Sequence, residues 1–258
     1  MIKKNLLLLL SCIFMCVSFG ISAAELAGIV ERMQGSAQII SLGSQKTLQA
    51  KAEVLQGDQI TTASDAEILL RMTDGTVLAI RPNTNLIVSE YRFDPKDSNN
   101  DQFIMKLVKG GLRTVTGAIG KKSPHKVRYN TPTATIGIRG TDFEVAVLDQ
   151  SKNNAEAGTY NQVFQGATFL ENNQGNRVEV GPNQAAFSPV NLLQTAQQFG
   201  LLKQVPNVFF NGTYDNLLQA LQEEALNRLN SELTSKIPGG KVPDELKNLL
   251  PKLGDLFN

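Results

Sequence analysis

AEILLRMTDGTVLAI, residues 66–80, sets Asp74-Gly75 between two apolar runs. Asp-Gly is a strong short-range hairpin signal, because a tight primed turn needs residues that accept positive φ. A two-residue turn predicts that Met72 pairs with Val77 and Leu70 with Ala79 on one face. A second hairpin is expected around Asn172 to Asn176, between ATFLE and RVEV. From Ile29 to about Phe187, Val, Ile and Thr recur in short runs punctuated by glycine, which predicts strands and turns. Val followed by Gly recurs at Val54 and Gly57, Val108 and Gly110, Val163 and Gly166, and Val180 and Gly181. That punctuation suits stacked hairpins or a degenerate solenoid. A barrel or sandwich also satisfies it.

Residues 131–145, TPTATIGIRGTDFEV, carry a polar break inside a strand-like stretch. Apolar residues alternate before it (Ala134, Ile136, Ile138) and after it (Phe143, Val145, Val147), the period of half-buried strands. Arg139, Gly140, Thr141 and Asp142 therefore form a corner. The favoured reading is structural. Gly140 supplies a conformation that other residues resist, while Arg139, Thr141 and Asp142 satisfy backbone groups at the corner. The alternative is a recognition surface in which Arg139 meets a partner's carboxylate.

The beginning of the chain speaks to its compartment. Lys3 and Lys4 precede an apolar run from Leu6 to Ile21 that ends in Ser22-Ala23-Ala24, the pattern of a secretory signal peptide over residues 1–24. A lipoprotein reading through Cys12, in Leu9-Leu10-Ser11-Cys12, is the weaker one because the apolar run continues past it. Both cysteines, Cys12 and Cys16, lie in this segment, so the mature chain is expected to hold no disulfide framework and no cysteine metal site. Loss of Lys3 and Lys4 leaves 23 basic residues against 24 acidic ones. That balance makes no electrostatic case for nucleic acid or for an anionic membrane. No later apolar run approaches the roughly 20 residues needed to span a bilayer.

FDPKDSNNDQ, residues 93–102, reads as an exposed loop. Composition changes near Val190. LLQTAQQFGLLK suits a short helix, and YDNLLQALQEEALNRLNSEL a stronger one, with Leu218, Leu221, Ala225 and Leu229 at helical spacing. Thr213 or Asp215 is the expected cap, Ile237-Pro238-Gly239-Gly240 the end, and PDELKNLLPKL a last short helix opened by Pro243. The expected organisation is a β domain over 25–190 and a helical segment over 191–258. The leucine stripe either docks on the β domain or serves as a partner-docking helix, with Val208-Phe209-Phe210 helping it to dock.

Catalytic patterns are scarce. His125 is the only histidine, in the basic stretch KKSPHKVR, which reads as a solvated loop in preference to a patch for acidic glycans. No G-x-S-x-G elbow, P-loop, G-x-G-x-x-G or H-E-x-x-H occurs. Asp58, Asp74, Gly75, Pro82, Asn83 and Asn85 read as turn residues that bond their own backbone. Asp94, Asp97 and Asp101 lack the alternate spacing of a calcium loop. The expectation is no enzyme, no metal and no cofactor.

With these segments placed, the chain resembles the FecR-domain family over roughly residues 28–188. The carrying blocks are LQGDQITT (55–62), MTDGTVLAIRPNTNLIV (72–88), LVKGGLRTVTG (107–117) and NTPTATIGIRGTDFEV (130–145), with FQGATFLE (164–171) fitting the final hairpin. The resemblance implies a mainly β fold, twisted and β-solenoid-like or sandwich-like, here followed by a C-terminal α-helical appendage. Family regulators place a sigma-binding cytoplasmic segment and a membrane span before this domain. Here only a signal peptide is expected to precede it, which suggests a stand-alone exported protein lacking the cytoplasmic anti-sigma segment. The expected function is a non-enzymatic binding or scaffold protein of the periplasm or cell envelope, in sensing or signalling through an envelope protein partner. The alternative is an envelope polysaccharide-binding or hydrolytic protein, against which the absence of tryptophan counts.

Overall fold

A computed structural model describes residues 24–151, 155–191 and 197–235. Residues 1–23 of the signal-peptide segment, the IPGG stop and the last short helix lie outside the described residues. Among the described residues, seventeen strands form one continuous hydrogen-bonded sheet. It divides into two wings because β9 (Gln102–Val115) is long enough to serve both. Residues 102–109 of β9 pair with β8 (Asn85–Arg92), and residues 103–106 with β10 (Val127–Asn130). From Gly110 onward the same strand pairs with β12 (Asp142–Leu148), and from Leu112 also with β7 (Val77–Ile80).

The first wing runs in space from β4 (Glu53–Leu55) through β1 (Leu26–Gln34), β6 (Glu67–Met72), β7, the end of β9, β12, β13 (Gly158–Gln165) and β16 (Ala185–Pro189) to β17 (Gly200–Leu201). The second runs from β3 (Ser44–Thr47) through β2 (Ala37–Ser41), β5 (Gln59–Thr62), β8, the start of β9, β10, β11 (Ala134–Ile138) and β14 (Thr168–Asn172) to β15 (Arg177–Val180). The chain passes back and forth between the wings. Their inner faces meet in one core that holds Ile68, Leu70, Met72, Leu78 and Val145 from the first and Ile60, Leu86, Phe103, Ile136 and Leu170 from the second. Tyr129 of the second wing packs edge-on against Phe143 of the first, with ring centroids 5.1 Å apart.

The hairpin at Asp74-Gly75 forms, with a register one residue away from the expected one. Met72 pairs with Thr76 (N to O, 2.8 Å), so the loop has three residues, and Leu70 faces Leu78 while Leu69 faces Ala79. Gly75 takes φ of 83°, the left-handed residue that closes a three-residue loop. The Asn172–Asn176 hairpin has the same design, with Asn172 N–H donating to Asn176 O over 2.9 Å.

A one-residue shift exchanges the faces of a strand, and here both faces are buried. Ile68, Leu70 and Met72 enter the main core. Leu69, Val77 and Ala79 face the other way and are covered by Tyr214 and Leu218. The short helix α1 (Ala118–Lys122) lies beside this hairpin. The long helix α2 (Asp215–Ser235) supplies the cover. It carries the expected leucine stripe, but neither proposed cap acts as one: Asp215 already lies in the first turn, and Thr213 Oγ1 accepts from Gln34 Nε2. The expected helix in LLQTAQQFGLLK is corrected over its described part. Gly200–Leu201 forms β17 against β16, and residues 197–199 and 202–204 are irregular. Glycine and the sheet edge outcompete a weak helical pattern there.

Candidate functional site

The outer face of the first wing holds a set of charges that the strands' apolar patterns give no reason to expect. Arg81, at the end of β7, is 2% exposed, and Glu67 on β6 and Glu144 on β12 are 0% and 3% exposed. Burial of unpaired ions is prohibitive, so each must be partnered. Arg81 Nη1 donates to Glu67 Oε1 over 2.8 Å and Nε to Glu144 Oε1 over 3.0 Å. Its Nη2 lies 2.8 Å from Asp215 Oδ1 at the start of α2. Beside it, Arg113 on β9 grips Asp142 in bidentate fashion, at 3.0 and 2.8 Å, and lies 3.7 Å from the second oxygen of Asp215. Phe164 stacks on the Arg113 guanidinium with 3.9 Å to the ring centroid.

This cluster holds a strap of chain, residues 202–214, against the wing. Thr213 N–H donates to Glu67 Oε2 over 2.8 Å, Phe210 N–H approaches Glu144 Oε1 at 3.4 Å, and Gly212 N–H donates to Asp215 Oδ2 over 2.9 Å. Apolar contacts flank the charges on both sides. Leu202, Val208 and Phe209 pack on Ala146, Tyr160 and Phe187. Tyr214 and Leu218 pack on Leu69, Val77, Ala79 and Val115. A cleft of about 780 Å³ opens beside the strap, between Val208 and Phe210 on one side and Asn83, Lys109 and Ala146 on the other. Burial pushes the Glu144 carboxyl above the usual range and Asp215 adds to the rise, against the pull of Arg81.

The predicted corner residues are divided by the fold. Gly140 takes φ of 64°, as its place in the corner requires. Thr141 N–H donates to Thr116 Oγ1, and its carbonyl accepts from Thr116 N–H, both at 3.0 Å. Asp142 faces Arg113 in the charged cluster. Arg139 does not satisfy the corner: its exposed side chain reaches Glu179 on β15 at 3.0 Å. Asp74 is fully buried and accepts from Thr76 N–H and Oγ1, with Ile119 N–H at 3.3 Å, so the turn also anchors α1. Leu218 and Ala225 are buried, and Leu221 and Leu229 are half-buried.

The remaining turn and loop candidates bond locally. Asp58 accepts from Leu55 N–H, Asp94 from Lys96 N–H and Asp97 from Asn99 N–H, while Asn83 adopts φ of 56°. The stretch KKSPHKVR is not a solvated run. Lys126 Nζ donates to the carbonyls of Ser98 and Asn99 at 2.6 Å each, and the Arg128 guanidinium lies over Phe169. His125 is exposed. Among the described residues no three His, Cys, Asp or Glu side chains converge in a metal-binding group. Sequence reading missed Glu67, Arg81, Arg113 and Glu144. The one signal available was a charge placed inside an apolar strand, which a solvent-facing position explains equally well.

Residues 58–168 match the model of the family described as FecR protein. No curated protein matches the chain. Two solved structures of candidate anti-sigma factors from Parabacteroides distasonis ATCC 8503 are similar to it. One is 14% identical, over 58% of this chain and 60% of that one, with a TM-score of 0.41. The other is 11% identical, over 66% of this chain and 74% of that one, with a TM-score of 0.42. This chain therefore spans three fifths of the first structure's length. Over residues 58–168, and not over the rest of its 258 residues, the chain is similar to the FecR family.

Proposed function

We propose that this protein is a non-enzymatic exported binding or scaffold protein that takes part in envelope sensing or signalling through a protein partner. The observation that carries the reading is the FecR domain at residues 58–168, a family that acts in signalling with protein partners. Its first-wing arginines and carboxylates are engaged with one another and with the strap, an arrangement suited to holding protein segments. Export through removal of residues 1–24 accords with an envelope role. No helix among the described residues is long and apolar enough to cross a membrane. We read 25–190 as the β domain and 191–258 as its C-terminal appendage, and the passage of the chain between wings as solenoid-like winding.

Deleting everything after Ser188 would bare Leu69, Val77, Tyr160 and Phe187, so truncation is a poor probe of partner binding. The test uses the full chain with a photo-crosslinking residue at Leu42, which is 82% exposed, or at exposed Lys106, irradiated in intact cells. A discrete protein adduct at one position supports the reading. Retention of envelope polysaccharide by the purified chain, with no protein adduct at either position, overturns it.

A further inference from the structure

We propose that Asn211 is a self-modifying site, at which conversion of the side-chain amide to isoaspartate through a cyclic imide releases the strap and helix α2 from the first wing. Asn211-Gly212 is the only Asn-Gly dipeptide in the chain. Such a pair is reactive because no side chain on the second residue shields its backbone nitrogen from the asparagine Cγ. The fold imposes the glycine, since a Cβ at residue 212 would overlap Arg81 Nη1 and Glu67 Oε1. It also leaves the asparagine free. Asn211 is exposed, and its side-chain amide has no hydrogen-bond partner among the described residues. Gly212 N–H donates to Asp215 Oδ2 over 2.9 Å, so the proton that must leave this nitrogen already faces a carboxylate.

The chemistry needs only water. Gly212 N bonds to Asn211 Cγ as the Cγ–Nδ2 bond breaks, and ammonia leaves with the proton from Gly212 N–H. Water then opens the imide at either carbonyl. Attack at the main-chain carbonyl of residue 211 gives isoaspartate, whose chain runs on through Cβ and Cγ, and attack at Cγ gives aspartate. The main-chain carbonyl, next to the Cα that bears an amide nitrogen, is the more electrophilic, so isoaspartate dominates. Asp74-Gly75 is the contrasting pair. Asp74 is fully buried and accepts from Thr76 N–H and Oγ1, while Gly75 N–H donates to Met72 O over 3.1 Å, so both reacting groups are locked in the hairpin.

Position turns the modification into a release. Residue 211 lies between two anchors of the strap, Phe210 N–H at 3.4 Å from Glu144 Oε1 and Thr213 N–H at 2.8 Å from Glu67 Oε2. Isoaspartate adds one main-chain atom between them, where Gly212 has no space to shift against Arg81. It also sets a new carboxylate beside a cluster in which Glu67, Glu144, Asp142 and Asp215 already share two guanidiniums. Thr213 then loses its bond to Glu67, a fully buried acceptor, and the start of α2 two residues on moves away with it. Tyr214 and Leu218, which cover Leu69, Val77 and Val115, follow.

The test incubates the folded full chain in mildly alkaline buffer and maps its asparagines by mass spectrometry, with isoaspartate identified by methyltransferase labelling. The expected result is conversion at Asn211 several-fold faster than at any other asparagine, with isoaspartate the main product there and none at Asp74. The isoaspartate form, separated by its added charge, is then compared with the unmodified chain by hydrogen exchange. Protection in residues 217–229 should fall several-fold, with no parallel loss in β6 and β12. Asn211→Gln keeps an amide but closes the ring far more slowly, so it should retain its protection through the same incubation. Conversion no faster at Asn211 than elsewhere overturns the proposal. So does an isoaspartate form that keeps full protection or loses it equally in the core, or an Asn211→Gln chain that loses protection as the wild type does.

Discussion

The backbone amide of Thr213 donates to Glu67 Oε2 over 2.8 Å across a sequence separation of 146 residues. Glu67 uses its other oxygen on Arg81, so one carboxylate joins the strap to the centre of the buried charge cluster. The connection makes Arg81 the residue whose loss should be felt on both sides. Arg81→Leu would leave Glu67 and Glu144 buried without their cation. Unfolding in urea should show a loss of about 3–5 kcal/mol. A loss below about 1 kcal/mol would mean that the carboxylates find water or protons instead.

Gly212 passes so close to the cluster that a side chain there has no room. A Cβ would overlap Arg81 Nη1 and Glu67 Oε1. Gly212→Ala should therefore lift the strap while leaving the wings folded, at roughly 1–3 kcal/mol. Limited proteolysis should then cut within residues 202–213 faster than in the wild type, with the β domain recovered intact.

Arg139 and Asp142 stand three residues apart and are expected to behave differently. Arg139 and its partner Glu179 keep 69% and 64% of their side chains exposed, so Arg139→Ala should change stability by less than about 0.5 kcal/mol. Asp142 keeps 2% and holds Arg113 with both oxygens, so Asp142→Ala should lower stability by about 1.5–3 kcal/mol. Paired thermal melts of the two variants check the contrast. Equal losses would show that the corner works as a unit.

Asp74 gives a pH-dependent expectation of its own. Burial raises its carboxyl above the usual range, against the pull of the Thr76 and Ile119 donors. The folded chain then binds this proton more tightly than the unfolded chain. Its contribution to stability is complete below the unfolded value and is lost as pH rises through the folded value. Asp74→Asn removes the titration, so the stability of the wild type relative to the variant should fall progressively above about pH 4. Denaturant midpoints across a pH series measure it, and a constant difference would exclude the assignment.

Much of the β architecture is legible in local sequence because turns are local. Asp74-Gly75 and Asn172–Asn176 announce hairpins through residues that accept positive φ or bond their own backbone, and both hairpins form. The spacing of Leu218, Leu221, Ala225 and Leu229 announces helix α2 in the same way. Register is less legible. Both faces of β7 are apolar, with Leu78 and Ile80 on one and Val77 and Ala79 on the other, so alternation cannot distinguish a two-residue loop from a three-residue one. The stretch 197–204 shows the opposite failure, in which an apparent helical pattern yields to pairing of Gly200–Leu201 with the sheet edge.

By itself the sequence determined the β class, the punctuation by turns, the FecR resemblance and the existence of an amphipathic helix, because each depends on residues within one turn or one strand of each other. Tertiary structure alone decided that β9 is shared by two wings, that α2 covers the outer face of one of them, and that Glu67, Arg81, Arg113, Glu144 and Asp215 meet. Those charges lie on separate strands and a distant helix, where no local period relates them. Their pairing arises only when folding removes them from water together, since a buried ion is tolerable beside its counter-ion and nowhere else.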